Sequence, residues 1–292
     1  MNKKVIPAAV LAVLLLASTL TFLSCTQSAI QPSDEIDIMA GSSLIANIVQ
    51  DVAGNTLTTR SLIPADTCPG HYDMKPSDII ALGNCTALFI HDYQEYFANI
   101  NDAVAAAHNP SLNVTVLSVA GNWMVPAVQA EAVSVIAQAL EQLYPENAAY
   151  YQQRATGRQQ AILAHGQQVE NTLEQAGLDG MKVICAEMQA DFAPWAGFNV
   201  TATFGRPEDL STVDLAQLVD DANQTGAVLI IDNLQSGSTT LGAAIENDVQ
   251  AIPVTISNFP GGFANTETWE KAIDKNVDLL LGALNEYEAQ YG

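Results

Sequence analysis

The feature that most constrains the fold is an interruption in the order of predicted elements. Short apolar segments alternate with helical patterns up to Val119 and again from Met181 onward, whereas nothing from Pro126 to Gly177 reads as a strand. Alternating strands and helices predict a mainly parallel sheet covered on both faces. We therefore expect an α/β protein with two lobes, each a mainly parallel sheet flanked by helices.

The strand-free stretch predicts the connection between the lobes. Pro126 to Leu143 reads as one helix, Pro145 breaks it, and Glu146 to Ala176 reads as a second helix. At 1.5 Å rise per residue the second helix would span about 45 Å, which is longer than one lobe is wide. We expect an N-terminal lobe over 36–144, a rigid linking helix over 145–177 and a C-terminal lobe over 178–292.

The remaining elements follow from the same patterns. The predicted strands are Ile36–Met39, Leu57–Ile63, Ala87–Ile90, Val114–Val119, Met181–Ala186, Val200–Phe204, Ala227–Ile231 and Ala251–Ile256. The predicted helices are Ser42–Val52, one that begins at Pro76, Tyr93–Ala107, Thr212–Ala222, Leu241–Asn247 and Thr268–Leu284.

The N-terminus has the pattern of an export signal. Lys3 and Lys4 precede an uncharged apolar run that ends in Ser24-Cys25. A basic start, an apolar run and a small residue before the cut describe a secretory signal over 1–24. A cysteine at the cut resembles a lipobox, which predicts lipidation of Cys25 and a tether over 25–35. The alternative is an uncleaved transmembrane anchor. Either one places the chain outside the cytoplasm, attached to the cell membrane.

Charge and cysteine content narrow the classes of function. The chain has 32 acidic and 10 basic residues and a net charge of −22, which excludes nucleic acid as a partner. Of the cysteines after Cys25, Cys185 reads as a small buried apolar residue. We expect a disulfide between Cys68 and Cys85, as an oxidising compartment allows.

Four polar segments follow strands at the place where a cleft site should lie: Pro69–Ile79, Gly121–Pro126, Glu187 and Asp232. In open α/β sheets, ligands bind at the carboxyl ends of strands. Two carboxylates that end neighbouring buried strands are costly without a partner, and a cation is the usual one. The pattern predicts a cation site in the cleft.

Four segments, in order, resemble the substrate-binding lipoproteins of zinc and manganese ABC transporters. Pro69–Asp78 resembles "P-H-x-Y-x-x-x-P-S-D" with Gly70 inserted, and Ala120–Pro126 is similar to "P-H-x-W-L-x-P". Asp209–Ala216 resembles "E-P-S-x-x-D-L-A", and Trp269–Leu284 resembles the C-terminal helix of the family with its mid-helix Asn, here Asn276.

The resemblance implies four metal ligands, which fall on His71, Asn122, Glu187 and Asp232. The pairing of Glu with Asp resembles the manganese branch, whereas Asn122 stands where the family has a histidine. An amide oxygen in place of imidazole should lower zinc affinity. His91 or Cys68 could compensate as a ligand. The alternatives are a half-buried, hydrogen-bonded imidazole for His91 and the disulfide for Cys68.

The implied function is that of a monomeric extracytoplasmic solute-binding protein. It would capture manganese, zinc or iron in the cleft and deliver the ion to an ABC permease. A family member that has lost its metal and serves in adhesion or another binding role is the alternative. A metal-dependent hydrolase is less favoured, because the sequence has no H-E-x-x-H, G-x-S-x-G or P-loop pattern.

Overall fold

Two four-stranded sheets, parallel throughout, form the framework of this computed structural model, which describes residues 36–236, 241–245 and 248–292. The first sheet has the order β2-β1-β3-β4 and the second the order β6-β5-β7-β8. The strands are β1 Ile38–Ala40, β2 Thr59–Ser61, β3 Ala87–His91, β4 Asn113–Leu117, β5 Lys182–Ala186, β6 Asn199–Phe204, β7 Leu229–Asn233 and β8 Ile252–Ile256. The predicted class, two α/β lobes with a long helix between them, is confirmed.

The helices cover the faces of the sheets. They are α1 Ser43–Ala53, α2 Pro76–Asn84, α3 Ala98–Ala107, α4 Pro126–Leu143, α5 Ala148–Gln175, α6 Phe192–Trp195, α7 Thr212–Thr225, α8 Leu241–Ile245 and α9 Trp269–Tyr291. Strands β1, β3 and β7 are buried along their whole length, as expected for strands covered on both sides.

One predicted helix is divided. The segment predicted as Tyr93–Ala107 begins as a 3₁₀ helix over Asp92–Tyr96, and the α-helix starts only at Ala98. Phe97 between them has extended backbone angles, because it caps both pieces. The polar segment Asp92–Tyr96 is therefore a turn that follows β3 and faces the cleft.

Helix α5 is the predicted link between the lobes. Its 28 residues span about 42 Å. On α5, Arg158 forms ion pairs with Asp51 of α1 and with Glu270 of α9. Helices α1 and α9 belong to different lobes, so this arginine ties the helix to both.

The apolar core is continuous from lobe to lobe. One buried cluster includes Phe89 of the first sheet, Ile162 of α5 and Ile231 of the second sheet. The indole of Trp269 is fully buried and donates a hydrogen bond to the carbonyl oxygen of Trp123, 3.1 Å away. Burial on this scale resists independent movement of the lobes.

The expected disulfide is absent. Cys68, Cys85 and Cys185 are buried free thiols. The Cys85 thiol points to the carbonyl oxygen of Leu82, 3.7 Å away in its own helix, which satisfies it locally. The lipidation residue Cys25 lies outside the described residues. Among the helices that the structure describes, none has the length and apolar character needed to cross a membrane.

Candidate functional site

A cavity of about 530 Å³ opens between the lobes at the carboxyl ends of both sheets. Its aromatic wall is Tyr93, Phe97, Trp123 and Phe259; its charged residues are Asp92, Glu187, Asp191 and Arg206; its amides are Asn122, Asn233, Gln235 and Asn258. This is the position that the parallel topology predicts for a ligand.

The side chain of Asn122, in the N-terminal lobe, forms hydrogen bonds with the C-terminal lobe. Its side-chain NH₂ donates to the carbonyl oxygen of Met188 at 2.9 Å and to Oδ1 of Asn258 at 2.8 Å. Its own Oδ1 accepts from the backbone NH of Met124 at 2.8 Å, and its backbone NH donates to Asp191. The amide oxygen is thus already used in holding the turn that begins α4.

Asn258 and two glutamines continue this amide network. Oδ1 of Asn258 also accepts from Gln189 at 2.9 Å, and the backbone NH of Asn258 donates to Oε1 of Gln235 at 3.0 Å. Gln235 donates in turn to the carbonyl oxygen of Ala65 in the other lobe, at 2.7 Å. Gln189 and Gln235 are almost fully buried, so the network is part of the closed cleft.

His71 lies at the mouth of the cleft in an exposed position. Its Nε2 accepts from the guanidinium of Arg206 at 3.3 Å, and its Nδ1 lies 3.9 Å from a carboxylate oxygen of Glu208. An arginine can only donate, so the lone pair on Nε2 is directed at Arg206 in this arrangement.

Glu187 lines the cavity and is exposed in the 3₁₀ turn Glu187–Gln189 that follows β5. Within the described residues, no three side chains from His, Cys, Asp and Glu converge in a way that could hold a metal ion. Of the four predicted ligands, Asn122 and Glu187 share the cavity, and His71 contacts its wall through Arg206.

Asp232 lies elsewhere. It is buried at 5% exposure, it does not line the cavity, and its Oδ2 accepts from the backbone NH of Gly242 at 3.0 Å. Burial raises the pKa of this carboxyl to about 6, opposed by the Gly242 hydrogen bond. The next residue, Asn233, ends β7 and reaches the cavity, because successive strand residues point to opposite faces.

The two possible substitute ligands are also engaged or remote. His91 lines the cavity, but it is only 3% exposed, its Nε2 lies 2.8 Å from Oγ of Ser42, and its ring contacts Tyr93 and Trp123. Burial lowers the pKa of His91 to about 3, so the imidazole is neutral at ordinary pH. Cys68 is buried and does not line the cavity.

The sequence analysis missed Arg206 and Asn258. Each follows the end of a strand, Arg206 after β6 and Asn258 after β8, so the same strand-end rule would have found both. The rule was applied only to acidic residues, to His91 and to the family segments. Gln189 and Gln235 gave no such signal, because a glutamine in a short turn is ordinary.

A comparison with protein families decides the identity. The profile of the family described as zinc-uptake complex component A, periplasmic (ZnuA), matches residues 38–283. The chain belongs to this family. The ZnuA family is one of periplasmic uptake components and not of enzymes, as the sequence predicted. No curated protein matches the chain.

Solved structures share the fold at low identity. The periplasmic zinc-binding protein TroA of Treponema pallidum is 16% identical with a TM-score of 0.70, over 86% of this chain and 99% of TroA. The solute-binding protein FpvC of Pseudomonas aeruginosa, in complex with Ni²⁺, is 17% identical with a TM-score of 0.69, over 86% and 97%. The Mn-bound periplasmic metal-binding protein of Candidatus Liberibacter asiaticus is 14% identical with a TM-score of 0.69, over 85% and 99%.

Proposed function

We propose that this protein is the extracytoplasmic solute-binding subunit of an ABC uptake system, which takes a divalent metal ion into the cleft and delivers it to a permease. The observation that carries this proposal is the cavity walled by both lobes at the carboxyl ends of both parallel sheets. Membership of the ZnuA family and metal-bound relatives of the same fold support metal as the cargo.

The ligands proposed from the cleft are His71 and Glu187, with amide oxygens from Asn122 and Asn258. A cation would have to displace Arg206 from Nε2 of His71 and reorient the two amides, whose oxygens accept hydrogen bonds within the closed network. Oxygen-rich ligands favour manganese or iron over zinc. Asp232 stays a candidate only if the cleft rearranges far enough to expose it.

The mode of attachment follows from the N-terminal sequence. We propose that Cys25 carries a lipid that holds the protein at the outer face of the cell membrane, as a monomer. Cys25→Ser should release the protein into the aqueous phase on detergent partitioning. A variant that stays fully membrane-bound with its signal intact would support a transmembrane anchor instead.

The test of the cargo is metal analysis of protein produced without chelator or affinity tag, followed by competition titrations with manganese, zinc and iron. One equivalent of a divalent metal is expected, with loss of binding in Glu187→Gln. Glu208→Gln is a matched control, because Glu208 is near His71 but does not line the cavity.

A binding protein that has lost its metal is the second candidate. One specific observation favours it: the amide oxygens at two cleft positions accept protein hydrogen bonds, and a guanidinium donates to the only cleft-mouth imidazole of the described residues. Protein that stays empty after exposure to each metal would establish this reading and refute the metal cargo.

A further inference from the structure

The cleft has few free donor atoms for a bare ion. Three carboxylates line it, but Asp92 and Asp191 each accept a backbone hydrogen bond, and no three metal-ligating side chains of the described residues converge there. Nε2 of His71, beside the cavity, already accepts from Arg206. The amide oxygen of Asn122 accepts a hydrogen bond from the backbone NH of Met124. The amide oxygen of Asn258 accepts from the side chains of Asn122 and Gln189. Zinc in proteins takes about four ligands and calcium-like cations take about six or more, so most positions would remain unfilled.

Besides its three carboxylates, the cleft carries one positive charge, that of Arg206. Arg206 lines the cavity, and within the described part of the chain no carboxylate lies within ion-pair distance of it. The chain has only 10 basic residues against 32 acidic ones, so a guanidinium left facing a cavity is notable. A planar guanidinium binds a carboxylate through two parallel hydrogen bonds.

The size and lining of the cavity indicate an organic occupant. Its volume of about 530 Å³ lies within the range of about 300 to 1,000 Å³ that is typical of small-molecule sites. Such sites combine apolar or aromatic walls with a few placed polar groups. Tyr93, Trp123 and Phe259 supply the first, and Arg206 and Glu187 supply the second.

We propose that the cargo is a divalent metal complexed by a small hydroxycarboxylate anion of the citrate type; this rests on the proposed function in metal uptake. The anion supplies the metal ligands that the protein lacks, and one of its free carboxylates binds Arg206. When Arg206 turns to the cargo, Nε2 of His71 is released for the metal, and Glu187 completes its coordination.

The sign of the effect of citrate tests the proposal. Calorimetric titrations of the full mature chain without its lipid compare three ligands. These are Mn²⁺ or Zn²⁺ alone, the same ions with an equimolar amount of citrate, and citrate alone. For the proposed cargo, citrate tightens metal binding at least tenfold. For a bare-ion site, citrate competes for the metal and weakens the apparent affinity.

A matched pair of variants assigns the effect to Arg206. Arg206→Gln should abolish the gain from citrate and raise the affinity for the ion alone, because Nε2 of His71 is then free. Lys275→Gln makes the same change of charge on α9, away from the cavity, and should keep the full gain. A gain that persists in Arg206→Gln would overturn the assignment, provided that circular dichroism shows both variants folded.

The outcomes separate this inference from the proposed function. Tight binding of the ion alone, weakened by citrate, overturns the chelate and leaves metal uptake standing. Citrate that binds equally well without metal overturns the chelate and points to an organic anion as cargo. No binding in any titration overturns both proposals.

Discussion

The two lobes have the same strand order, yet one of them buries a base and the other an acid at the cleft end of its third strand. In each sheet the third strand of the lobe, β3 or β7, runs toward the cleft and ends in a 3₁₀ turn. At that end β3 buries His91 and β7 buries Asp232. Burial lowers the pKa of the base to about 3 and raises that of the acid to about 6. The same topology therefore shifts both groups toward their uncharged forms, since desolvation always opposes the charged form.

The turns after these strands differ in the same way. Gln94 follows β3, and its side chain bonds only within its own lobe, to the carbonyl oxygen of Gly41 and the backbone NH of His91. Gln235 follows β7 and reaches across the cleft to Ala65. The N-terminal strand end is thus internally fixed, whereas the C-terminal strand end also helps to hold the lobes together.

Removing the side chain of Gln94 should have the largest effect on the free energy of unfolding. Gln94→Ala leaves two buried backbone groups, the carbonyl of Gly41 and the NH of His91, without partners. Each costs about 1 to 3 kcal/mol, so we expect a loss of about 3 kcal/mol in the free energy of unfolding, measured with urea. Gln290→Ala, at an exposed position of α9, is the control and should change little. A small loss in Gln94→Ala would mean that water replaces both hydrogen bonds.

Replacing the buried base should change the pH dependence of stability. His91 has a folded pKa of about 3 against 6.5 for the ordinary imidazole. Between those values the unfolded chain binds more protons, so this group makes the free energy of unfolding rise with pH. His91→Gln should remove that rise, by at most about 1.4 kcal/mol per pH unit between pH 4 and 6. Urea titrations of metal-free parent and variant across this range measure the difference; parallel curves would contradict a buried neutral imidazole.

Much of the fold was predictable because its signals are local. Each of the eight strands was predicted from an apolar run with ends in error by a few residues, and α4 was predicted from Pro126 to Leu143 as observed. The division at Phe97 was not, since the apolar spacing of a 3₁₀ turn followed by a helix imitates one longer helix.

The site was less predictable because it depends on orientation. Asp232 and Asn233 are neighbours that point to opposite faces of the sheet. Which of them faces the cleft depends on where β7 ends, and its last paired residue is Asn233. The strand-end rule identified the cavity and three of its residues, His91, Asn122 and Glu187. It could not show that Asn122 would bond to Asn258, which is 136 residues away in sequence.

Replacing the buried acid Asp232 should change the pH dependence of the free energy of unfolding in the direction opposite to that of His91→Gln. The pKa of Asp232 is about 6 when folded and 3.8 as a reference, so between these values the folded chain binds more protons. Its contribution therefore falls as pH rises through this window, and Asp232→Asn should remove the fall, by at most about 1.4 kcal/mol per pH unit near pH 5. In the double variant with His91→Gln the two changes in slope should nearly cancel. Its free energy of unfolding should therefore vary with pH almost as that of the parent does. Changes of the same sign in the two single variants would contradict the comparison between the lobes.

The smallest effect is expected at the turn that crosses the cleft. Gln235→Ala removes the hydrogen bonds to Ala65 and to Oγ of Ser257 and the acceptor of the backbone NH of Asn258, but these groups lie beside the cavity, from which water can replace the lost side chain. We expect a loss of about 1 kcal/mol in the free energy of unfolding, well below that of Gln94→Ala. Because the lost bond joins the lobes, the variant should also show a larger radius of gyration in small-angle X-ray scattering of the metal-free protein. Gln94→Ala should leave that radius unchanged, since its bonds stay within one lobe. If the two variants changed the radius equally, the C-terminal strand end would have no special part in closing the cleft.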